Sequence, residues 1–269
     1  PFLHVLAVSF SDKTAVIRGE VLLWPQSFKL SAYKAVFNNK GLMDSMWFTL
    51  ILTVVYTVFS LIMTILCAYP LSYPGLKLKS PILLYILFTM YFSGGLIPSY
   101  LVVKGLHMVD SVWAMMIPGC LSVYNMIIMR SYFVNSIPDS LEEAAILDGS
   151  NPIQYLLKVV LPLSKPVIAV IALYYMVGHW NDFFNALIYI NDKALLPLQT
   201  FLRNILVTNT VGNVSQTQNL NPEALQKKIY LAQTIKYSAI IVSTLPVLCI
   251  YPFVQKYFVK GVMIGAIKG

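Results

Sequence analysis

Few side chains in this sequence could do chemistry, and they gather in three places. One is a short charged segment that runs Ser140, Leu141, Glu142, Glu143, Ala144, Ala145, Ile146, Leu147, Asp148, Gly149 between two long apolar runs. The second is a polar cluster inside an apolar stretch, His179, Trp180, Asn181, Asp182 and Asn185, with Asn125 and Arg130 in the stretch before it. The third is an amide- and hydroxyl-rich loop that holds Thr208, Asn209, Thr210, Asn213, Gln216 and Asn219. None of these is a catalytic arrangement. A phosphate-cradling G-x-x-x-x-G-K-[ST] run is absent. No Ser/His/Asp set stands at recognisable spacing, and His4, His107 and His179 are too scattered to share a metal. Cys67, Cys120 and Cys249 all lie in apolar runs and read as small core residues. The expectation is a chain that recognises and transmits, with no cofactor of its own.

The elements that must position these groups follow from composition. Apolar residues make up 58% of the 269 residues and charged ones 11%, against roughly a quarter charged in a soluble domain. Mean hydropathy is +0.71. The net charge of +8 comes without a Lys/Arg-rich run, which gives nucleic acid little to hold and suits anionic lipid headgroups. A bilayer core needs about 20 apolar residues in helix. Met43 to Tyr73, Pro81 to Val103, Val112 to Val134, Lys165 to Ile190 and Thr234 to Tyr257 each meet that length. Pro1 to Phe10 reads as the end of a further span, or else as a short interfacial segment. The expected fold is therefore all-α, one polytopic helical bundle over residues 1–269, six spans with the first truncated. Strand patterns of a barrel are absent. Long polar connections are expected at about 11–41, 136–163 and 191–233. Lys77 and Lys79 in one short loop, against Lys104 in another, weakly favour a cytoplasmic side for 136–163 and for the C-terminus.

The charged segment carries its own start and stop signals. Pro138 suits a first helical turn. Ser140 and Glu143 match a capping box, and Ala144, Ala145 and Leu147 favour helix. Gly149 suits a left-handed C-terminus. Ser150 or Asn151 can cap a second helix, with Pro152 in its first turn and its end near Pro162. Leu141, Ala144 and Ala145 share a face, and that face could seat on a partner or simply pack on its own bundle.

Glu143-Ala144-Ala145, three residues, Gly149, nine residues, Val159, one residue, Leu161-Pro162 resembles the EAA loop of ABC-importer permeases, with Val159 where that pattern prefers Ile. Asp148-Gly149, Trp180-Asn181-Asp182-Phe183 and Phe258-Val259-Lys260-Gly261 also resemble carbohydrate permeases of the maltose-transporter type. The resemblance covers nearly the whole chain, fits the smaller six-span subunit, and is closest to permeases for oligosaccharides of polysaccharides such as alginate.

That resemblance implies a subunit of an ATP-driven importer in a bacterial cytoplasmic (inner) membrane. It pairs with a second permease, and two ATP-binding subunits below would hold ATP and Mg. An extracytoplasmic solute-binding protein above would deliver an oligosaccharide. A cytoplasmic coupling helix would dock on an ATPase through Ser140, Leu141, Glu142, Glu143, Ala144, Ala145, Asp148 and Gly149. Glu143 would meet a basic residue, although it could equally complete the cap with Ser140. Asn125, His179, Trp180, Asn181, Asp182 and Asn185 become candidates for the substrate path, though they could equally bond neighbouring helices. In maltose-type transporters the sugar contacts come mainly from the other permease, and Asp182 would repel an anionic sugar unless paired. The loop with Thr208, Asn209, Thr210, Asn213, Gln216 and Asn219 would reach the binding protein, or be an ordinary solvated loop. The tail from Lys256 to Gly269 would be cytoplasmic. The rivals are a stand-alone secondary transporter or channel and an intramembrane enzyme.

Overall fold

The computed structural model describes residues 1–204 and 235–250, with positions 252 and 255. The candidate loop from Thr208 to Asn219 and the tail from Lys256 to Gly269, with its Phe258-Val259-Lys260-Gly261 run, lie outside the described residues. Every regular element among the described residues is helical. In chain order they are α1 (Phe2–Ser9), α2 (Lys13–Ile17), α3 (Ser31–Phe37), α4 (Lys40–Ser72), α5 (Lys79–Tyr91), α6 (Leu96–Gly105), α7 (Val112–Met116) and α8 (Val123–Ser136). Then come α9 (Asp139–Leu147), α10 (Pro152–Tyr155), a π-helical turn (Leu156–Val160), α11 (Leu161–Leu163), α12 (Lys165–Trp180) and α13 (Phe184–Tyr189). A 3₁₀ turn (Lys193–Leu195), α14 (residues 198–204) and α15 (Ile235–Ile250) follow.

The long helix α4 shows how the sequence sorts its faces. Thr49, Thr53, Thr57, Ser60 and Thr64 are buried. They recur every three or four residues, so they form one stripe. Ile51, Val54, Val55, Val58, Ile62 and Leu66 are exposed. A helix in water would reverse this. Small hydroxyl residues inside and branched aliphatics outside are the arrangement for a lipid solvent, where small side chains let helices approach closely. The hydroxyls of Thr49, Thr57 and Thr64 donate back to the carbonyls of Ser45, Thr53 and Ser60, at 2.7 Å each.

Only α4 is a single continuous helix long and apolar enough to cross a membrane among the described residues. The remaining apolar stretches, expected as unbroken spans, are mostly broken. Pro81 to Val103 divides into α5 and α6 with a bend of 115°. Gly95 caps α6 with φ +90°, a conformation that a side chain disfavours. Val112 to Val134 divides at Pro118-Gly119, after which the Ser122 hydroxyl caps α8 by accepting from Asn125 N at 3.4 Å. Lys165 to Ile190 divides at Asn181-Asp182-Phe183, where Asp182 accepts from Asn185 N at 3.2 Å and ends the run. A bend of 81° separates Pro152–Leu163 from α12.

Contacts gather the chain into two units, Pro1–Ile51 with Asn181–Ile250, and Leu52–Trp180 with Tyr251–Gly269. In the first, Ala7, Val8, Ala15 and Val21 form a small core against Val16 and Tyr237. Phe10 stacks on Phe28 and Tyr33 at 5.2 and 4.8 Å. Asp12 caps α2 and pairs with Lys29 at 2.6 Å, and the ammonium holds its carboxyl well below the usual range. The Leu198 amide donates to the Thr49 hydroxyl at 2.7 Å, which ties α14 to α4.

In the second unit, the buried Tyr175 hydroxyl lies 2.7 Å from Thr64 Oγ1 and accepts from the Ser122 amide at 3.0 Å. It thereby joins α12, α4 and the start of α8. Tyr56 donates to the Gly119 carbonyl at 2.7 Å. Arg130 Nε donates to the Leu71 carbonyl at 2.8 Å, and Lys79 Nζ reaches those of Ser72 and Tyr73. These cations satisfy the orphan carbonyls at the C-terminus of α4 and oppose its dipole.

Candidate functional site

The segment between α8 and α12 is assembled by a sequence of stops. Ile137 precedes proline, which forces extended backbone, and it lies at φ −108°, ψ 117°. Pro138 then serves as the N-cap residue of α9, with Asp139 and Glu142 in the first turn, where carboxylates suit the helix dipole. The Ser140–Glu143 capping box does not form. Ser140 is already inside the helix, and no side chain caps its N-terminus. Proline starts the helix two residues before the serine can.

The other end follows the expected chemistry. Gly149 has φ +74°. The Ser150 amide donates to Ala145 O at 2.9 Å and the Gly149 amide to Ile146 O at 3.0 Å. This is the Schellman closure, which a left-handed glycine makes cheap. Asn151 then caps α10, accepting from Gln154 N at 2.8 Å while Gln154 Oε1 accepts from Asn151 N at 3.2 Å. A reciprocal capping box is therefore present, at Asn151 and Gln154. The helix does not stop at Pro162 but runs through Leu163. Pro162 has no N–H for the Lys158 carbonyl. The chain adapts by widening into π geometry just before it, with the Leu161 amide donating to Leu156 O.

The two faces of α9 differ. Glu142 and Ala145 turn inward and are half-buried, whereas Glu143, Ala144 and Asp148 are exposed. Leu147 is 87% exposed and Ile146 61%. Behind α9 is a cleft of about 320 Å³ lined by Tyr69, Tyr73, Glu142, Ala145, Ile146 and Tyr155. Tyr69 crosses beside it to donate to Pro152 O at 3.1 Å. Burial, helped by the neighbouring charge of Asp139, raises the Glu142 carboxyl above its ordinary value. The two adjacent glutamates thus have different surroundings: Glu142 faces its own bundle, and Glu143 faces outward. Nothing in the local sequence distinguishes them except their phase on the helix.

The residues of the polar cluster around Trp180 have different surroundings. Trp180 is buried, as is Asn125 on α8. His179 is half-buried and stacks on Tyr56 at 4.0 Å, nearly parallel. Asp182 and Asn185 hold each other, with Asn185 Nδ2 donating to Asp182 Oδ2 at 2.6 Å. Asn181 instead lines a cleft of about 530 Å³ with Phe183, Gln199, Arg203 and Lys236. Sequence reasoning missed Tyr175, Arg203 and Lys236. A tyrosine in an apolar stretch and single cations on two separate helices give no local signal. Among the described residues no group of His, Cys, Asp and Glu could hold a metal.

Residues 30–264 match the family of binding-protein-dependent transport system inner membrane components. The chain belongs to this family. As a permease component it is a part of a membrane transport system, not an enzyme by itself. It is 42% identical to Protein LplC of Bacillus subtilis over 100% of this chain and 89% of that protein. It is 41% identical to the polygalacturonan/rhamnogalacturonan transport system permease protein YtcP of the same organism, over 100% of this chain and 92% of that one. Among solved structures it is similar to a chain of a bacterial ABC transporter involved in the import of the acidic polysaccharide alginate. That match has TM-score 0.86 and 36% identity, and covers 96% of this permease component and 90% of the other chain. The reading as a stand-alone transporter or channel is not favoured.

Proposed function

We propose that this permease component forms, with a second permease, the translocation path of an ATP-driven importer for oligosaccharides, acidic ones in particular. The observation that carries the reading is the α9–Gly149–α10 module. It is a capped helix with a fixed turn whose outer face exposes Glu143, Ala144 and Leu147. An exposed leucine flanked by a carboxylate and a small residue suits a groove on a partner protein. The family assignment supports an ATPase as that partner. Two ATP-binding subunits would hold ATP and Mg, and a solute-binding protein would deliver the sugar. A relative named for polygalacturonan/rhamnogalacturonan transport and a solved transporter involved in alginate import support an acidic cargo.

In this reading α9 is the coupling helix on the cytoplasmic side, and the C-terminus shares that side. The regions 11–41 and 191–233 are extracytoplasmic, and the chain spans the bacterial inner membrane six times. The bent pair α5–α6 serves as one broken span. Closure of the ATPases moves α9, and its rigid turn carries the motion into α12, since a packed element shifts between discrete arrangements instead of flexing. His179 holds α12 to α4 through Tyr56, and Asn125 and Trp180 are buried near the path, while Asn181 faces the sugar. Thr208, Asn209, Thr210, Asn213, Gln216 and Asn219 contact the binding protein.

Reconstitution of the complex in proteoliposomes tests this. Trigalacturonate uptake is expected only with ATP inside and binding protein outside. Uptake by the chain without an ATPase subunit would overturn the proposal.

A further inference from the structure

The cleft of about 530 Å³ in the first unit lies within the roughly 300–1,000 Å³ range of small-molecule sites. Its walls are α14 and α15, with Asn181 and Phe183 from the break before α13. Arg203 and Lys236 both line it, and no carboxylate does among the described residues. Neither cation is in a salt bridge among the described residues. The nearest acid in sequence, Asp182, is outside the lining and occupied by the Asn185 amide and backbone N–H. The charged side chains that line the cleft among the described residues are therefore both cations.

The remaining wall groups narrow the ligand. Asn181 and Gln199 supply amides that both donate and accept. The Thr244 hydroxyl proton is spent on Ile240 O at 2.7 Å, which leaves its oxygen able to accept. Phe183 is 41% exposed and offers an aromatic face. A bare phosphate calls for donors only. A ring that carries a carboxylate, several hydroxyls and an apolar C–H face uses cations, acceptors and the aromatic together.

We infer that this cleft is a subsite for one uronate unit of an acidic oligosaccharide, held at its carboxylate by Arg203 and Lys236. The guanidinium can grip the carboxylate through two parallel N–H bonds. The ammonium adds a point charge, and Asn181, Gln199 and Thr244 meet ring hydroxyls. The inference rests on the oligosaccharide reading above but assigns sugar contact to this subunit itself.

The test is binding of α-1,4-trigalacturonate to the detergent-purified complex without its binding protein, compared with a neutral trisaccharide of the same length. The wild type is expected to prefer the acidic sugar. Arg203→Gln with Lys236→Gln is expected to weaken trigalacturonate binding at least tenfold and leave the neutral sugar unchanged. Arg203→Lys is expected to lose less, with the complex eluting normally in each case. No binding by the wild type, equal binding of both sugars, or an unaffected double variant would overturn the subsite. Displacement of trigalacturonate by phosphatidylglycerol but not by free galacturonate would overturn it in favour of a lipid anchor. ATP-dependent uptake by the wild type in proteoliposomes would still stand in any of these cases, so the two claims can fail separately.

Discussion

Gly149 carries more of the proposed mechanism than any other residue. Its φ of +74° costs any L side chain roughly 1–2 kcal/mol, and more for a β-branched one. No neighbouring atom would block a Cβ there, so the strain is conformational. Gly149→Val is expected to insert and assemble normally but to lose most binding-protein-stimulated ATP hydrolysis. Measuring that rate in proteoliposomes checks it, and a normal rate would sink the lever. Glu142 offers a pH test. Its carboxyl titrates above the ordinary value because burial and Asp139 disfavour the charge. A raised folded pKa gives a stabilising contribution that is complete below the unfolded carboxyl value and lost as pH rises through the folded one. Mild acidification through the carboxylate range should therefore raise the thermal midpoint of the wild type. Glu142→Gln should remove that part of the pH dependence and be more stable than wild type at neutral pH. Identical pH profiles would contradict the burial of Glu142.

At the scale of elements, Tyr175 is the joint among α12, α4 and α8, through Thr64 Oγ1 and the Ser122 amide. Tyr175→Phe leaves the Ser122 N–H without its acceptor, at a cost of about 1–3 kcal/mol. The expected result is a lower unfolding midpoint in detergent with the complex still assembled; an unchanged midpoint would mean the joint is not a structural one. The elements also show what the sequence made legible. Gly149 and Asn151 were readable because their roles are local: a left-handed residue and a cap act within five positions. The Ser140 cap misread the same kind of signal, because a Ser-x-x-Glu pattern also arises one turn inside a helix that Pro138 has already begun. The broken helices were obscured for another reason. A hydropathy window records how apolar a stretch is, not its direction, so Gly94-Gly95, Pro118-Gly119 and Asn181-Asp182 were absorbed into their spans. The cleft with Arg203 and Lys236 joins α14 to α15 across a long separation in sequence, so no local pattern marks it.

In the molecule as a whole, α4 is the guide: a stripe of hydroxyl residues is buried and many of its aliphatics are exposed, which is the sorting expected of a chain whose solvent is lipid. The polar groups left at the surface are therefore the informative ones, and α9 presents the most pointed set. The central claim is that its outer face touches an ATPase subunit while its inner face stays with the bundle. A photo-crosslinking residue placed in turn at Ala144, Ala145 and Leu147 in the assembled complex tests this directly. Capture of the ATPase subunit is expected from Ala144 and Leu147, which face outward, and not from Ala145, which turns toward the cleft with Tyr69 and Tyr155. Equal capture from all three positions, or capture from none, would contradict the account.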